Sequence, residues 1–256
     1  EVEAFESDFA DRIGARNAVA VSSATAGLHL SLLAAGIGPG DRVVTSPISF
    51  LSSANCAAFV GATPDFCDID AGSYNLCPAT LSDRWKDDTK AVVAVDYAGQ
   101  PAEMPAIYGA AKARGAFVLE DASHGVGGRF GSGGRDWSVG AHPWADATVF
   151  SFHPVKTMTT GEGGMVTTGD DDLASRIRRL RHHGIERNPA RWRCAEANGA
   201  DGASDASWYY EMAELGYNYR VTDLQCALGR SQLRRLDDFI RRRQEIVDRY
   251  QSAFEG

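Results

Sequence analysis

The chain reads as an α/β fold: a mostly parallel, seven-stranded sheet lying between layers of helices. Two observations predict this. Short β-branched runs alternate with helical segments through most of the 256 residues, which is the order of strand–helix–strand units rather than of hairpins. The strand-like runs between Thr63 and Leu119 are also apolar almost throughout, as strands covered on both faces should be.

The elements follow in order. Val2, Phe5, Phe9 and Ile13 form the apolar stripe of an opening helix. Strands are expected at 18–21, 42–45, 63–67, 91–95, 116–120, 147–152 and 164–168. Helices are expected at 25–35, 50–60, 104–114 and 170–182. The link Gly36-Ile37-Gly38-Pro39-Gly40-Asp41 marks a helix end and a strand start. After His182 the composition shifts. Residues 184–210 are polar and rich in Gly, Ala and Asp, and Trp192, Trp208, Tyr209 and Tyr210 predict that this loop packs on something. Two helical stretches follow from Thr222, the second starting near Asp237. Arg234, Arg235, Arg241, Arg242 and Arg243 alternate with Leu233, Leu236, Phe239 and Ile240, the pattern of a solvated helix face.

Composition removes several function classes. A net charge of −8 lacks the footprint of a general nucleic-acid binder. The longest apolar runs are too short to cross a bilayer. Glu1, Glu3, Glu6 and Asp8 stand where a signal peptide would need basic and then apolar residues, so a soluble, cytoplasmic protein is expected. The five cysteines (Cys56, Cys67, Cys77, Cys194, Cys226) are odd in number and show no CxxC spacing, which predicts free thiols and no metal site. His182-His183 reads as a structural turn, with His183 a candidate substrate contact. The chain opens without Met, already inside a helix pattern, and is expected to lack its beginning.

Three segments carry chemistry. Val21-Ser22-Ser23-Ala24-Thr25-Ala26-Gly27 is a strand, a small-residue turn and a helix start, either a phosphate site or a capped helix without ligand. Phe117 to His124 places Asp121 at the carboxyl end of an apolar strand, where ligands sit in open α/β sheets. That acid is either a cap or the partner of something cationic, with His124 within reach of the same ligand. Phe150-Ser151-Phe152-His153-Pro154-Val155-Lys156 runs from a strand to a lysine and on to a Gly-rich turn. Burial there would lower the amine's pKa and make it nucleophilic.

Taken together, SSATAGLHLSLLAAGIGPGD, FVLEDASHGVGG, FSFHPVKTMTTGEGG and LGYNYRVTDLQCALG resemble the DegT/DnrJ/EryC1/StrS family of pyridoxal-phosphate sugar aminotransferases, over essentially the whole chain. The resemblance implies the fold type I architecture. It divides the chain into a cofactor-binding large domain, residues 1–236, and residues 237–256 as the start of a helix toward a small C-terminal domain that is largely absent. It implies pyridoxal 5'-phosphate as cofactor, bonded covalently by Lys156. Asp121 would face the pyridine nitrogen and His124 the phenolic oxygen, while Phe50 would stack on the ring. Thr25 and Ala26, through their backbone, and Ser151, through its hydroxyl, match phosphate contacts. Asn218 matches a residue that reaches the neighbouring subunit's phosphate, implying a dimer with shared active sites. SPISF, SFHPVKTMTTGEGG and WYYEMAELGYNYR resemble the branch that moves an amino group from L-glutamate to carbon 4 of a UDP-linked 4-keto-6-deoxy-N-acetylhexosamine, in pseudaminic acid synthesis.

Lysine at position 156 favours transamination over the related sugar dehydratases, which resemble this pattern but carry histidine there. Other readings are another keto-sugar aminotransferase of the family, a pyridoxal-phosphate protein without catalysis, and a nicotinamide enzyme. Ser22–Gly27 lacks the GxGxxG that the last would require.

Overall fold

The structure, a computed structural model, describes residues 1–193 and 208–254. Part of the loop at 184–210, including Cys194, lies outside the described residues. In chain order the main elements are α1 (Val2–Ile13), β1 (Asn17–Val21), α2 (Ala24–Ala34), β2 (Arg42–Thr45), α3 (Ser52–Phe59), β3 (Thr63–Phe66), α4 (Pro78–Asp83), β4 (Thr89–Val95), α5 (Met104–Lys112) and β5 (Phe117–Asp121). There follow β6 (Arg129–Ser132), β7 (Arg135–Ser138), β8 (Ala147–Ser151), β9 (Gly164–Thr168), α6 (Asp171–Leu180), β10 (Ile185–Glu186), β11 (Glu211–Met212), α7 (Asp223–Leu233) and α8 (Leu236–Phe254).

The seven expected strands form one sheet in the order β1-β9-β8-β5-β4-β2-β3. The inner pairs from β3 across to β8 are parallel, and β9 runs antiparallel to both β8 and β1. The mixed edge closes the sheet where the chain returns to its first strand. One apolar cluster packs α2, α3 and α6 on one face, built on Leu28, Leu30, Leu32, Val93 and Val149. On the other face Phe5 and Phe9 of α1 meet Phe150 and Phe152, with Phe9 and Phe150 rings 5.2 Å apart and near perpendicular. The expected α/β architecture with a mostly parallel central sheet is thus present.

Expectation and structure part at several points. β3 is an edge strand and largely exposed. Its Pro64 and Asp65 suit an edge, where a missing N–H costs no ladder bond, so the reading of this run as buried and apolar was wrong. The hairpin β6–β7, the short helix α4 and the two-residue pair β10–β11 lie outside the expected elements; each is short, with little apolar periodicity to detect. The arginines of α8 do face solvent, Arg241 pairing with Asp238 and Glu245, and only Leu236 of this helix is buried. At the loop's end Trp192 and Tyr209 rings lie 4.6 Å apart, edge to face. Cys56, Cys67, Cys77 and Cys226 are free. No helix among the described residues is long and apolar enough to cross a membrane.

Candidate active site

β4, β5 and β8 are parallel neighbours, so their carboxyl ends open on one side of the sheet. The α2 start reaches the same edge because β1, lying antiparallel beside β9, hands the chain to it there. A cavity of about 770 Å³ results, and Thr25, Phe50, Asp121, His124, Ser151 and Lys156 all line it. That volume falls in the range of roughly 300–1,000 Å³ typical of small-molecule sites.

Asp121, the last residue of β5, is 3% exposed. Its Oδ1 accepts from the Ser123 hydroxyl at 2.6 Å and the Ser123 amide at 3.2 Å. Its Oδ2 accepts from the Ser53 hydroxyl at 2.6 Å. Both oxygens are thereby fixed in orientation before any ligand arrives. Lys156 sits in a turn closed by its amide on the His153 carbonyl, 3.0 Å. Burial holds the Lys156 ammonium below the usual lysine range, and Asp121 opposes that shift. His124 is also lowered, by burial first and then by the charge of Lys156, with Asp121 again opposing. An amine and an imidazole whose charged forms burial disfavours, and an acid held by two serines, therefore share one cavity.

At the other end of the cavity, Ser23 caps α2 by accepting the Ala26 amide at 3.1 Å. The Ala24 and Thr25 amides, at the first two helical positions, are among those a helix leaves unpaired, and both residues line the cavity. Gly164 lets β9 approach this turn: a Cβ there would stand 2.6 Å from the Ser23 carbonyl carbon. Gly27 does the same under the helix, where a Cβ would meet Val149 at 2.9 Å. Phe50 presents an exposed ring on the wall.

Two expected residues lie apart from this group. Ala26 is buried and does not line the cavity, because its amide is already used by the Ser23 cap. Asn218 pairs in a bridge with His182, beside Arg220 and Thr222 on a separate groove. His182 Nδ1 contacts Arg220 at 2.8 Å and the His183 amide donates to Tyr217, so the turn is tied to the GYNYR segment.

The sequence reading missed Ser53, Ser123 and Asp96. Ser123 lay inside a quoted motif. Asp96 follows β4 directly and is almost completely buried, the same strand-end position that singled out Asp121. Ser53 gave no local signal, since it meets Asp121 across 68 positions of sequence.

The chain matches the model of the DegT/DnrJ/EryC1/StrS aminotransferase family over residues 1–256. It is 47% identical over 255 residues to the spore coat polysaccharide biosynthesis protein SpsC of Bacillus subtilis, covering 100% of this chain and 62% of that protein. It superimposes on Helicobacter pylori PseC, an aminotransferase involved in the biosynthesis of pseudoaminic acid, with a TM-score of 0.84 and 30% identity, covering 99% of this chain and 62% of PseC. For the sugar aminotransferase Spr1654 of Streptococcus pneumoniae in its PMP-form the TM-score is 0.86 at 28% identity, covering 100% of this chain and 65% of that one; the same protein is also solved in a PLP-form. The chain thus spans about three fifths of the length of the curated relatives it matches. A family match along every residue, a shared type I fold and a lysine and an aspartate at one cavity converge: the chain belongs to the DegT/DnrJ/EryC1/StrS aminotransferase family.

Proposed function

We infer that this chain binds pyridoxal 5'-phosphate between Lys156 and Asp121 and serves a sugar aminotransferase. The amino group would pass from L-glutamate to carbon 4 of a UDP-linked 4-keto-6-deoxy-N-acetylhexosamine. The observation that carries the reading is the meeting of a depressed lysine, a fixed carboxylate and a helix start in one cavity.

The donor set fits the cofactor at each end. Among the described residues Lys156 Nζ is the one primary amine lining the cavity, the group needed to hold an aldehyde covalently. Asp121 offers a charge to a protonated ring nitrogen, and its serine partners leave the carboxylate unable to swing away. Phe50 supplies a ring face, and His124 a side chain for a phenolic oxygen. The Ala24 and Thr25 amides and the Ser151 hydroxyl meet a phosphate where the α2 dipole favours negative charge. When bound, the cofactor supplies an electron sink for the carbon next to the transferred nitrogen. Lys156 Nζ, whose charged form burial disfavours, would carry protons to and from that carbon, a contribution of roughly 10²–10⁴-fold.

Asn218 lies away from the cavity of its own chain, which suits a residue serving a second protomer. A homodimer with shared sites belongs to this reading. The division at residues 236 and 237 belongs to it too, since α8 keeps only Leu236 buried.

A second reading concerns the sugar alone. The identity to SpsC, 47%, exceeds that to PseC, 30%, which favours a keto sugar of a surface polysaccharide other than the pseudaminic acid precursor. A coupled assay with glutamate and the UDP-4-keto sugar, read by mass spectrometry, decides. An amine-for-ketone mass change is expected. An unchanged ketone with cofactor-loaded protein gives the second reading.

A further inference from the structure

We propose that Ser53, backed by Ser49, is a positioning residue that ties the orientation of Asp121 to the loop presenting Phe50. The inference rests on the cofactor reading above and extends it to the serine chain behind the acid.

Hydrogen-bond arithmetic fixes the direction of the chain. An ionised carboxylate only accepts, so the contact of Ser53 Oγ with Asp121 Oδ2, 2.6 Å, uses the single Ser53 proton. The Ser49 Oγ lies 2.6 Å from Ser53 Oγ. With the Ser53 proton already committed, Ser49 must be the donor of that pair. The wire therefore runs Ser49 to Ser53 to Asp121, in one direction. Ser49 lines the cavity, whereas Ser53 is fully buried, so the wire joins a cavity-wall hydroxyl to the back of the acid.

The two serines bracket the residue at issue. Phe50 and Leu51 stand between Ser49 and the first turn of α3, and the Ser53 amide donates back to the Phe50 carbonyl at 3.1 Å. One short segment thus holds the ring on the wall and the hydroxyl on the acid. A shift of the loop that moved Phe50 would break the bond to Oδ2. The neighbouring thiol does not compete. Cys56 donates to the Ser53 carbonyl at 3.3 Å, and burial, reinforced by Asp121, pushes it up to about 12, so it stays protonated. Asp121 Oδ1 is held separately by Ser123, and the two oxygens are under independent control.

The test is a double-mutant cycle on the affinity of the apo-protein for pyridoxal 5'-phosphate, measured by fluorescence titration, with the thermal midpoint of each apo variant as a folding control. Ser53→Ala is expected to weaken binding about tenfold, as befits a hydrogen bond to a charged group, and Ser49→Ala about threefold. In the Asp121→Ala background, where Ser53 has no acid to hold, Ser53→Ala should add less than twofold. An undiminished Ser53→Ala effect in that background would mean a merely structural role and overturn the proposal. So would wild-type affinity of Ser53→Ala when Asp121→Ala itself binds weakly. If Asp121→Ala binds the cofactor as tightly as wild type, the cofactor reading itself falls, and the wire falls with it.

Discussion

Glu120 and Asp121 are consecutive on β5 and, as strand neighbours must, point to opposite faces of the sheet. Both are buried acids with every oxygen hydrogen-bonded, yet their surroundings differ. Both Glu120 oxygens meet His142 Nε2, at 3.0 and 3.1 Å, and Oε2 also accepts from Thr148 at 2.7 Å. The Trp144 amide donates to His142 Nδ1 at 3.2 Å, so Nε2 carries the proton and gives it to Glu120. Phe130 and Trp144 rings lie against that imidazole, and neither side chain of the pair has any exposure. Asp121 is instead held by hydroxyls that leave one side open to the cavity and to Lys156. Burial and satisfied hydrogen bonds describe a structural acid as well as a chemical one. What separates them is whether a ring seals the carboxylate or a cavity faces it.

The cavity side should respond to substitution through chemistry. Lys156→Ala is expected to have the largest effect. On the proposed function it removes both the covalent anchor and the proton carrier, so turnover should fall by at least about 10²–10⁴-fold, and no borohydride-reducible cofactor adduct should form. A reducible adduct in the alanine variant would move the anchor elsewhere. Asp121→Asn comes next. It keeps the shape and removes the charge that the proposed function sets against the ring nitrogen; a charge-assisted hydrogen bond of about 1.5–3 kcal/mol corresponds to roughly 10- to 100-fold in cofactor affinity. Equilibrium titration of the variant reads this directly, and an unchanged affinity would make Asp121 no different from Glu120.

The sealed side should respond through stability. His142→Ala strips Glu120 of its imidazole donor and leaves a void against Phe130 and Trp144. The expected cost is about 3 kcal/mol, seen as a lower denaturant midpoint, with cofactor affinity of the folded protein within twofold of wild type. A large loss of affinity with little loss of stability would reverse the contrast between the two acids.

How far the sequence reached follows the same division. All seven strands of the main sheet were legible as short β-branched or apolar runs, and β4, β5, β8 and β9 are almost wholly buried. Boundaries slipped by a residue or two where function intrudes. β5 runs on to Asp121, and β8 stops at Ser151. α3 begins at Ser52 rather than Phe50, because Phe50 stays in the loop that lines the cavity. Asp121, His124 and Lys156 were legible from polar residues placed at the ends of apolar runs and from family resemblance. Ser53 was not, since its role depends on which distant strand ends beside α3. His142 and Thr148 were hidden for the same reason, each meeting Glu120 only through the tertiary fold.

Asp96 sharpens the contrast from a third position. Its Oδ1 accepts the Ala102 amide at 2.9 Å, and its Oδ2, buried, has no hydrogen-bond partner among the described residues. Burial foremost, and then the charge of Glu120, raises its pKa well above the usual carboxylate range. The folded state therefore keeps a proton that the unfolded chain begins to release near pH 4. Stability linked to this proton is present in full below the unfolded value and declines as pH rises toward the raised folded value. Asp96→Asn presents a similar shape without a titrating proton. Its stability relative to wild type should accordingly improve as pH increases from about 4, by at most about 1.4 kcal/mol for each pH unit inside that window. Thermal midpoints of the two apo-proteins at pH 4, 5.5 and 7 give the slope. A difference that stays flat would mean that Asp96 is ionised in the fold, and that a carboxylate can stand at this strand end with neither a sealing imidazole nor a hydroxyl to hold it.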